Sequence, residues 1–175
     1  EMCIRDRGYA FQEVFGVPIP WEVDRFAVEN KGKLTIWNQD VRTSTLDCAP
    51  MCAFLLDMAV PATACQNTAT LMEAVTGLAF TPEEVMKVGE RVNNLARAFN
   101  AREGFSRADD TLPERLMTEP LPAGASRGHL ISRQDLDTML DEYYSLRGWD
   151  VETGTPSRGK LTDLGLAYVA DALGL

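Results

Sequence analysis

Residues Thr81 to Pro113 read TPEEVMKVGERVNNLARAFNAREGFSRADDTLP. Thr81 reads as an N-cap, Pro82 as the first helical residue and Glu84 as the return arm of a capping box. Behind that cap, Val85, Val88, Val92, Leu95 and Phe99 recur at steps of three or four. This is the spacing of one apolar stripe on a helix of about six turns. Glu83, Lys87, Glu90, Arg91, Asn94 and Arg97 fall largely on the other side and read as a solvated or polar face. Gly104 ends the helix as a C′ residue. The loop that follows sets Arg102 and Arg107 close to Asp109 and Asp110. That set reads either as a salt-bridged loop or as a seat for an anion.

Outward from this helix, the neighbouring segments also carry helical patterning. Upstream, Lys31 to Leu46 has Leu34, Trp37, Val41 and Leu46 as apolar anchors, and three hydroxyls at Thr43–Thr45 weaken its propensity. Gln66 to Thr76 predicts a shorter helix stopped by Gly77, and Phe80 is placed to staple against Val85. Downstream, Pro113 to Met117 is a helical turn, and Glu119 to Gly124 is a proline-spaced linker. Ser132 caps the next helix, whose stripe is Leu136, Met139, Leu140 and Tyr143. Gly148 and Trp149 close it as a Schellman stop with an apolar latch. Two short helices separated by Gly165 follow, from Pro156 to Leu164 and from Leu166 to Leu173. No run shows strand alternation, so the expected fold is all-α over residues 8–175, either one helical domain or two packed lobes divided near residues 120–131.

Residues 1–7, EMCIRDR, read as a non-native artefact, similar to translated adapter sequence, and are set aside from the fold. From Gly8 to Asn30, Gly16, Pro18 and Pro20 interrupt an apolar segment, and Trp21 and Phe26 are expected to fold back on the core or plug into a further surface.

Hydrophobic residues make up 45% of the 175 and charged residues 25%, as in a soluble globular protein. The net charge of −9 and a pI near 4.6 argue against nucleic-acid or anionic-membrane partners. No apolar run approaches the ~20 residues of a membrane span. The cysteines, Cys3, Cys48, Cys52 and Cys65, are unevenly spaced and do not read as a secreted disulfide framework. The expected compartment is the cytoplasm.

One stretch stands out for chemistry. Asp47-Cys48-Ala49-Pro50-Met51-Cys52 interrupts an apolar segment with a carboxylate and two thiols. Pro50 disfavours α conformation at Ala49 and donates no backbone N–H, so the helix is expected to end or kink there. Either the cysteines are small buried hydrophobes or they are metal ligands. A self-contained zinc site is not expected, because the only histidine, His129, lies in a distant polar loop. There is no phosphate-binding glycine loop, and no nucleophile–base pair is apparent. Asp109-Asp110 and Asp141-Glu142 read as solvated or helix-terminal charges.

Beyond these readings, much of the chain resembles a known family. Arg102-Glu103-Gly104-Phe105 with Asp109-Asp110-Thr111-Leu112-Pro113, and Leu140-Asp141-Glu142-Tyr143-Tyr144 with Arg147-Gly148-Trp149, are similar to the C-terminal region of the tungsten-pterin aldehyde:ferredoxin oxidoreductases. The likeness runs from about Gly8 to Leu164. It implies helical domains packed against an N-terminal β domain, with the metal–pterin site at the junction. The family's D-x-x-G-L-C motif falls on Asp47 to Cys52. The resemblance implies that Asp47 and the backbone at Met51 contact the pterin, and that Cys52 is the last ligand of a [4Fe–4S] cluster. Pro50 replaces the motif's glycine and Met51 its leucine. The other cluster cysteines and the family's acid/base residues lie upstream, so no catalytic residue is assigned in this chain.

The expected activity is therefore aldehyde oxidation to a carboxylic acid at a tungsten (or molybdenum) bis-pterin. Electrons would leave through the [4Fe–4S] cluster to ferredoxin. The partners implied are the N-terminal β domain, ferredoxin, the aldehyde substrate and a further copy in a homo-oligomer. The competing reading is a non-catalytic helical scaffold or interaction domain, with Pro50 as its mark.

Overall fold

The computed structural model describes residues 24, 26–49 and 64–175. Residues 1–7, Trp21, Pro50, Met51 and Cys52 lie outside the described residues. The named elements are α1 (Lys31–Arg42), a π-helical turn that continues it (Thr43–Asp47), α2 (Ala64–Thr76), α3 (Pro82–Arg102), a 3-10 turn (Arg107–Asp109), α4 (Glu114–Thr118), α5 (Arg133–Arg147), α6 (Arg158–Asp163) and α7 (Ala167–Leu173). The all-α expectation holds: among the described residues no strand forms, and a lone antiparallel bridge joins Trp149 to Pro156.

Local sequence sets the helix ends. Glu84 N donates to Thr81 Oγ1 at 3.1 Å and Thr81 N donates to Glu84 Oε2 at 2.8 Å, so the capping box opens α3 as the sequence predicts. Ser132 and Asp135 open α5 in the same way. α5 closes on Gly148 at φ 70°, where Trp149 N donates to Tyr144 O at 2.9 Å and the indole is buried. Glycine occupies that left-handed position without a Cβ penalty.

The helices then meet at two glycines. A Cβ on Gly32 of α1 would stand 2.8 Å from the backbone nitrogen of Tyr143 in α5. A Cβ on Gly89 of α3 would stand 2.0 Å from the carbonyl oxygen of Asp40 in α1. Both positions let backbones approach where any side chain would hold them apart. α1 thus sits against α3 and α5. The C-terminal helices form a separate apolar cluster of Ala98, Leu161, Leu164, Leu166, Val169 and Ala170.

The orientation of α3 departs from the sequence expectation. Its buried residues are Val85, Gly89, Asn94 and Ala98, whereas Val88, Val92, Leu95 and Phe99 are 37%, 37%, 40% and 54% exposed. Asn94 and Arg97, expected on the solvated or polar face, point inward as a polar face within the fold. Asn94 Oδ1 accepts from the buried indole Nε1 of Trp149 at 2.7 Å, and Asn94 Nδ2 donates to Glu90 O at 2.8 Å. Arg97 Nε donates to Gly154 O at 2.8 Å, and its guanidinium is paired with Asp110. The physical reason is the surroundings: buried donors and acceptors on adjacent segments need polar partners, and α3 supplies them.

Candidate cofactor edge

The Asp47 edge is built by the end of α1. Ser44 Oγ donates to Asp40 O at 2.8 Å, and Thr45 Oγ1 donates to Val41 O at 2.6 Å. These hydroxyls compete for the carbonyls of the preceding turn. The next turn widens, and Cys48 N bonds Thr43 O at 3.0 Å, five residues back. Such π-helical turns gather at functional sites. The sequence reading expects the break at Pro50; the helix already departs from α geometry at Thr43. Thr43 to Leu46 are buried, while Asp47 and Cys48 emerge exposed.

Asp47 is exposed and makes no hydrogen bond or ion pair among the described residues, which places an acceptor carboxylate at this edge. Cys48 is a poorer candidate for coordination. Partial burial and the neighbouring Asp47 charge raise its thiol above the usual range, which disfavours the thiolate. Burial also raises the Cys65 thiol, with Ser44 opposing and Glu83 adding to the shift. Among the described residues no group of three or more His, Cys, Asp or Glu side chains could hold a metal ion. Behind the edge, a groove of about 80 Å³ is lined by Cys48, Ala49, Thr68, Met72, Phe80 and Val88, among others.

Beneath this edge lies a buried polar junction that sequence reasoning did not single out. Arg147 Nη1 donates to Asp40 Oδ1 at 2.8 Å and to Oδ2 at 3.0 Å, with the two side chains 1% and 6% exposed. Asn93 Nδ2 also donates to Asp40 Oδ1 at 2.8 Å, and Gln39 Oε1 accepts from Arg147 Nη2 at 2.9 Å and from the Tyr143 hydroxyl at 2.7 Å. Burial pushes the Asp40 carboxyl up, and Arg147 and Asn93 pull it back. Seven residues separate Asp40 from Asp47, so this junction fixes the base from which the edge projects. The only sequence sign was Arg147 standing just before the Gly-Trp helix stop.

The arginine–aspartate loop resolves as a structural knot rather than an anion seat. Asp110 pairs with Arg97 at 2.6 Å and accepts from the Tyr144 hydroxyl. Arg107 reaches Asp141 at 2.5 Å and Val151 O at 2.9 Å. Asp109 caps the 3-10 turn through Ser106, and Arg102 pairs with exposed Glu103. Every cation of the loop is already matched. Burial and the bond to Asp110 raise the Tyr144 phenol, which keeps it a neutral donor. His129 stacks on Phe26 at 3.9 Å and pairs with no carboxylate among the described residues. A cavity of about 450 Å³ lies between α1, α3 and α5, with Leu34, Ala96, Met139 and Trp149 among its walls.

Residues 2–166 match the family described as aldehyde ferredoxin oxidoreductase, domains 2 and 3. The chain belongs to the aldehyde ferredoxin oxidoreductase family. It is 38% identical over 157 residues to the tungsten-containing aldehyde ferredoxin oxidoreductase of Pyrococcus furiosus, covering 89% of this chain and 24% of that protein. The enzyme of the same name from Thermococcus kodakarensis is 35% identical over 156 residues, with the same coverage. The WOR-like subunit of an aliphatic sulfonate oxidoreductase from Pyrococcus furiosus is 33% identical over 99 residues, 53% of this chain and 16% of that one. Among solved structures, the active-site complex BamBC of benzoyl coenzyme A reductase, in complex with 1,5-dienoyl-CoA, aligns at a TM-score of 0.68 and 26% identity. That alignment covers 97% of this chain and 26% of the other. The chain spans about a quarter of the length of the curated relatives it matches.

Proposed function

We propose that this chain is the helical C-terminal portion of an enzyme that oxidises aldehydes to carboxylic acids at a tungsten bis-pterin. Family membership supports an oxidoreductase role. The observation that carries the finer reading is Asp47, exposed and without a hydrogen bond or ion pair among the described residues, at the end of a π-helical turn, five residues before Cys52. An exposed carboxylate at that place fits a hydrogen-bond acceptor for the N–H groups of a pterin. Cys52 is the thiol assigned to iron. Among the described residues no group of three or more His, Cys, Asp or Glu side chains could complete a site, so a [4Fe–4S] cluster, which takes four ligands, would take one from Cys52 and the others from the part of the oxidoreductase beyond the region described. When bound, the tungsten–pterin supplies the redox chemistry. This chain's own part is to hold Asp47 at the edge, through the back-bonded hydroxyls of Ser44 and Thr45 and the Asp40–Arg147 junction.

The aldehyde substrate and electron exit to ferredoxin belong to the proposal, as do the cytoplasmic setting and a homo-oligomeric state. Relatives named for an aliphatic sulfonate and for benzoyl coenzyme A share this helical region. Substrate choice is therefore assigned to groups outside this chain. Among the described residues, no helix is long and apolar enough to cross a membrane.

Tungsten content measured by plasma mass spectrometry on the oxidoreductase carrying this chain tests the Asp47 assignment. Asp47→Ala is expected to lower tungsten per protein severalfold without changing the melting temperature of the apoprotein. Full tungsten loading in Asp47→Ala contradicts it.

A further inference from the structure

The outward face of α3 is the least expected feature of the fold. A 21-residue helix packed on several sides by its own chain turns its most apolar stripe, Val88, Val92, Leu95 and Phe99, toward solvent. The steps between these residues are four, three and four, the pattern by which one helix receives the side chains of another laid along it. One shoulder of the stripe carries two cations beside Glu84, whose carboxylate is engaged by the Thr81 N–H of the helix cap. At about 100° per residue, Lys87 and Arg91 fall beside the stripe. Both are exposed, and neither has an ion pair among the described residues. On a chain of net charge −9 this is a local reversal of sign. The stripe is also continuous with the cofactor edge, because Val88 shares the 80 Å³ groove with Cys48 and Ala49. Three-quarters of the length of the matched relatives lies outside the region this chain spans.

We infer that the α3 stripe seats an amphipathic helix with an acidic flank, contributed by the part of the oxidoreductase that residues 1–175 do not span. The inference rests on the reading of this chain as a portion of that longer enzyme. Apolar side chains of the incoming helix fill the spaces between Val88, Val92, Leu95 and Phe99, and its carboxylates meet Lys87 and Arg91. The exposed stripe is then an internal seam of the assembled protein, and the covering helix lies next to the Asp47 edge.

The experiment uses the double variant Leu95→Glu/Phe99→Glu in two settings, the 175-residue chain alone and the oxidoreductase carrying it. In the chain alone, the variant is expected to keep the wild-type melting temperature and helical circular dichroism, to bind less 8-anilinonaphthalene-1-sulfonate and to stay soluble at higher concentration. In the whole oxidoreductase, the same variant is expected to lower the melting temperature and to cut the yield of folded protein severalfold. Lys87→Glu/Arg91→Glu is expected to act in the same direction there, by a smaller amount. An unaffected oxidoreductase overturns the inference, because the stripe would then face solvent in the assembly. A discrete dimer of the chain alone that the variant splits overturns it in favour of a second copy as occupant. Loss of fold in the chain alone also overturns it, because the two residues would then be core. Aldehyde turnover by the chain alone would instead defeat the parent reading while leaving these measurements in force.

Discussion

Two regions of this molecule are held by different physics. At the α1–α5 contact, the centre is an ion pair with almost no solvent exposure, Asp40 with Arg147, ringed by Gln39, Asn93 and Tyr143. At the C-terminal end, the centre is a cluster of aliphatic side chains with Leu161 and Ala170 fully buried. The aliphatic cluster is non-directional and tolerates repacking. The polar junction binds its charges through directional bonds, and its Asp40 stands on α1 just before the turn that carries Asp47. The contrast teaches that specificity of position is concentrated near the turn that carries Asp47, and general stability in the C-terminal cluster.

The comparison breaks most severely at Arg147. Arg147→Ala leaves a buried carboxylate without its cation, which costs about 3–5 kcal/mol in urea unfolding. The pH dependence carries the sign. Asp40 titrates above its ordinary value in the folded chain, so its contribution to stability falls as pH rises through that raised value. Removing Arg147 takes away a lowering influence and moves the carboxyl higher still. The deficit of the variant relative to the wild type therefore shrinks as pH drops through the carboxylate range. A deficit that stays constant with pH would mean that packing, not charge, holds the junction.

Leu161→Ala is the counterpart in the aliphatic cluster. It is expected to cost about 3 kcal/mol by loss of burial plus a cavity, with no pH dependence over the carboxylate range. A pH-dependent loss at Leu161 would erase the distinction between the regions. Gly89→Ala sharpens the same contrast through the backbone. Its new Cβ meets the Asp40 carbonyl, so α1 and α3 must part, at a cost of about 1–3 kcal/mol. Thermal unfolding should place it below Leu161→Ala in severity, and a neutral result would show that α1 floats on α3. The smallest effect is at a helix end that touches neither region. Ser132→Ala should cost about 1 kcal/mol by removing the α5 cap, measured in the same unfolding series.

Much of this architecture was legible from local chemistry. The Thr81 and Ser132 boxes, the Gly104 and Gly148 stops and the Trp149 latch are short-range signals, and each stands where the sequence placed it. The inward face of α3 was not legible, because periodicity reports which side is apolar and not what the neighbours need. Asn94 is buried to accept from an indole N–H more than fifty residues away, and that need exists only in three dimensions. The same holds for Asp40 and Arg147, separated by 107 positions. At the cofactor edge, the hydroxyl run Thr43–Thr45 correctly signalled a weakened helix, and its outcome as a π-helical turn depended on which carbonyls the hydroxyls found. The role of Asp47 to Cys52 rested on resemblance alone, since one carboxylate and spaced thiols carry no self-contained chemistry.

The most direct test of the proposed role is the iron signal of the oxidoreductase carrying this chain. Electron paramagnetic resonance of the reduced protein, with iron quantified per polypeptide, would be compared for Cys52→Ser and Cys65→Ser. The account predicts that Cys52→Ser weakens or abolishes the [4Fe–4S] signal while Cys65→Ser, whose thiol is raised by burial, leaves it intact. An undiminished cluster in Cys52→Ser would contradict it.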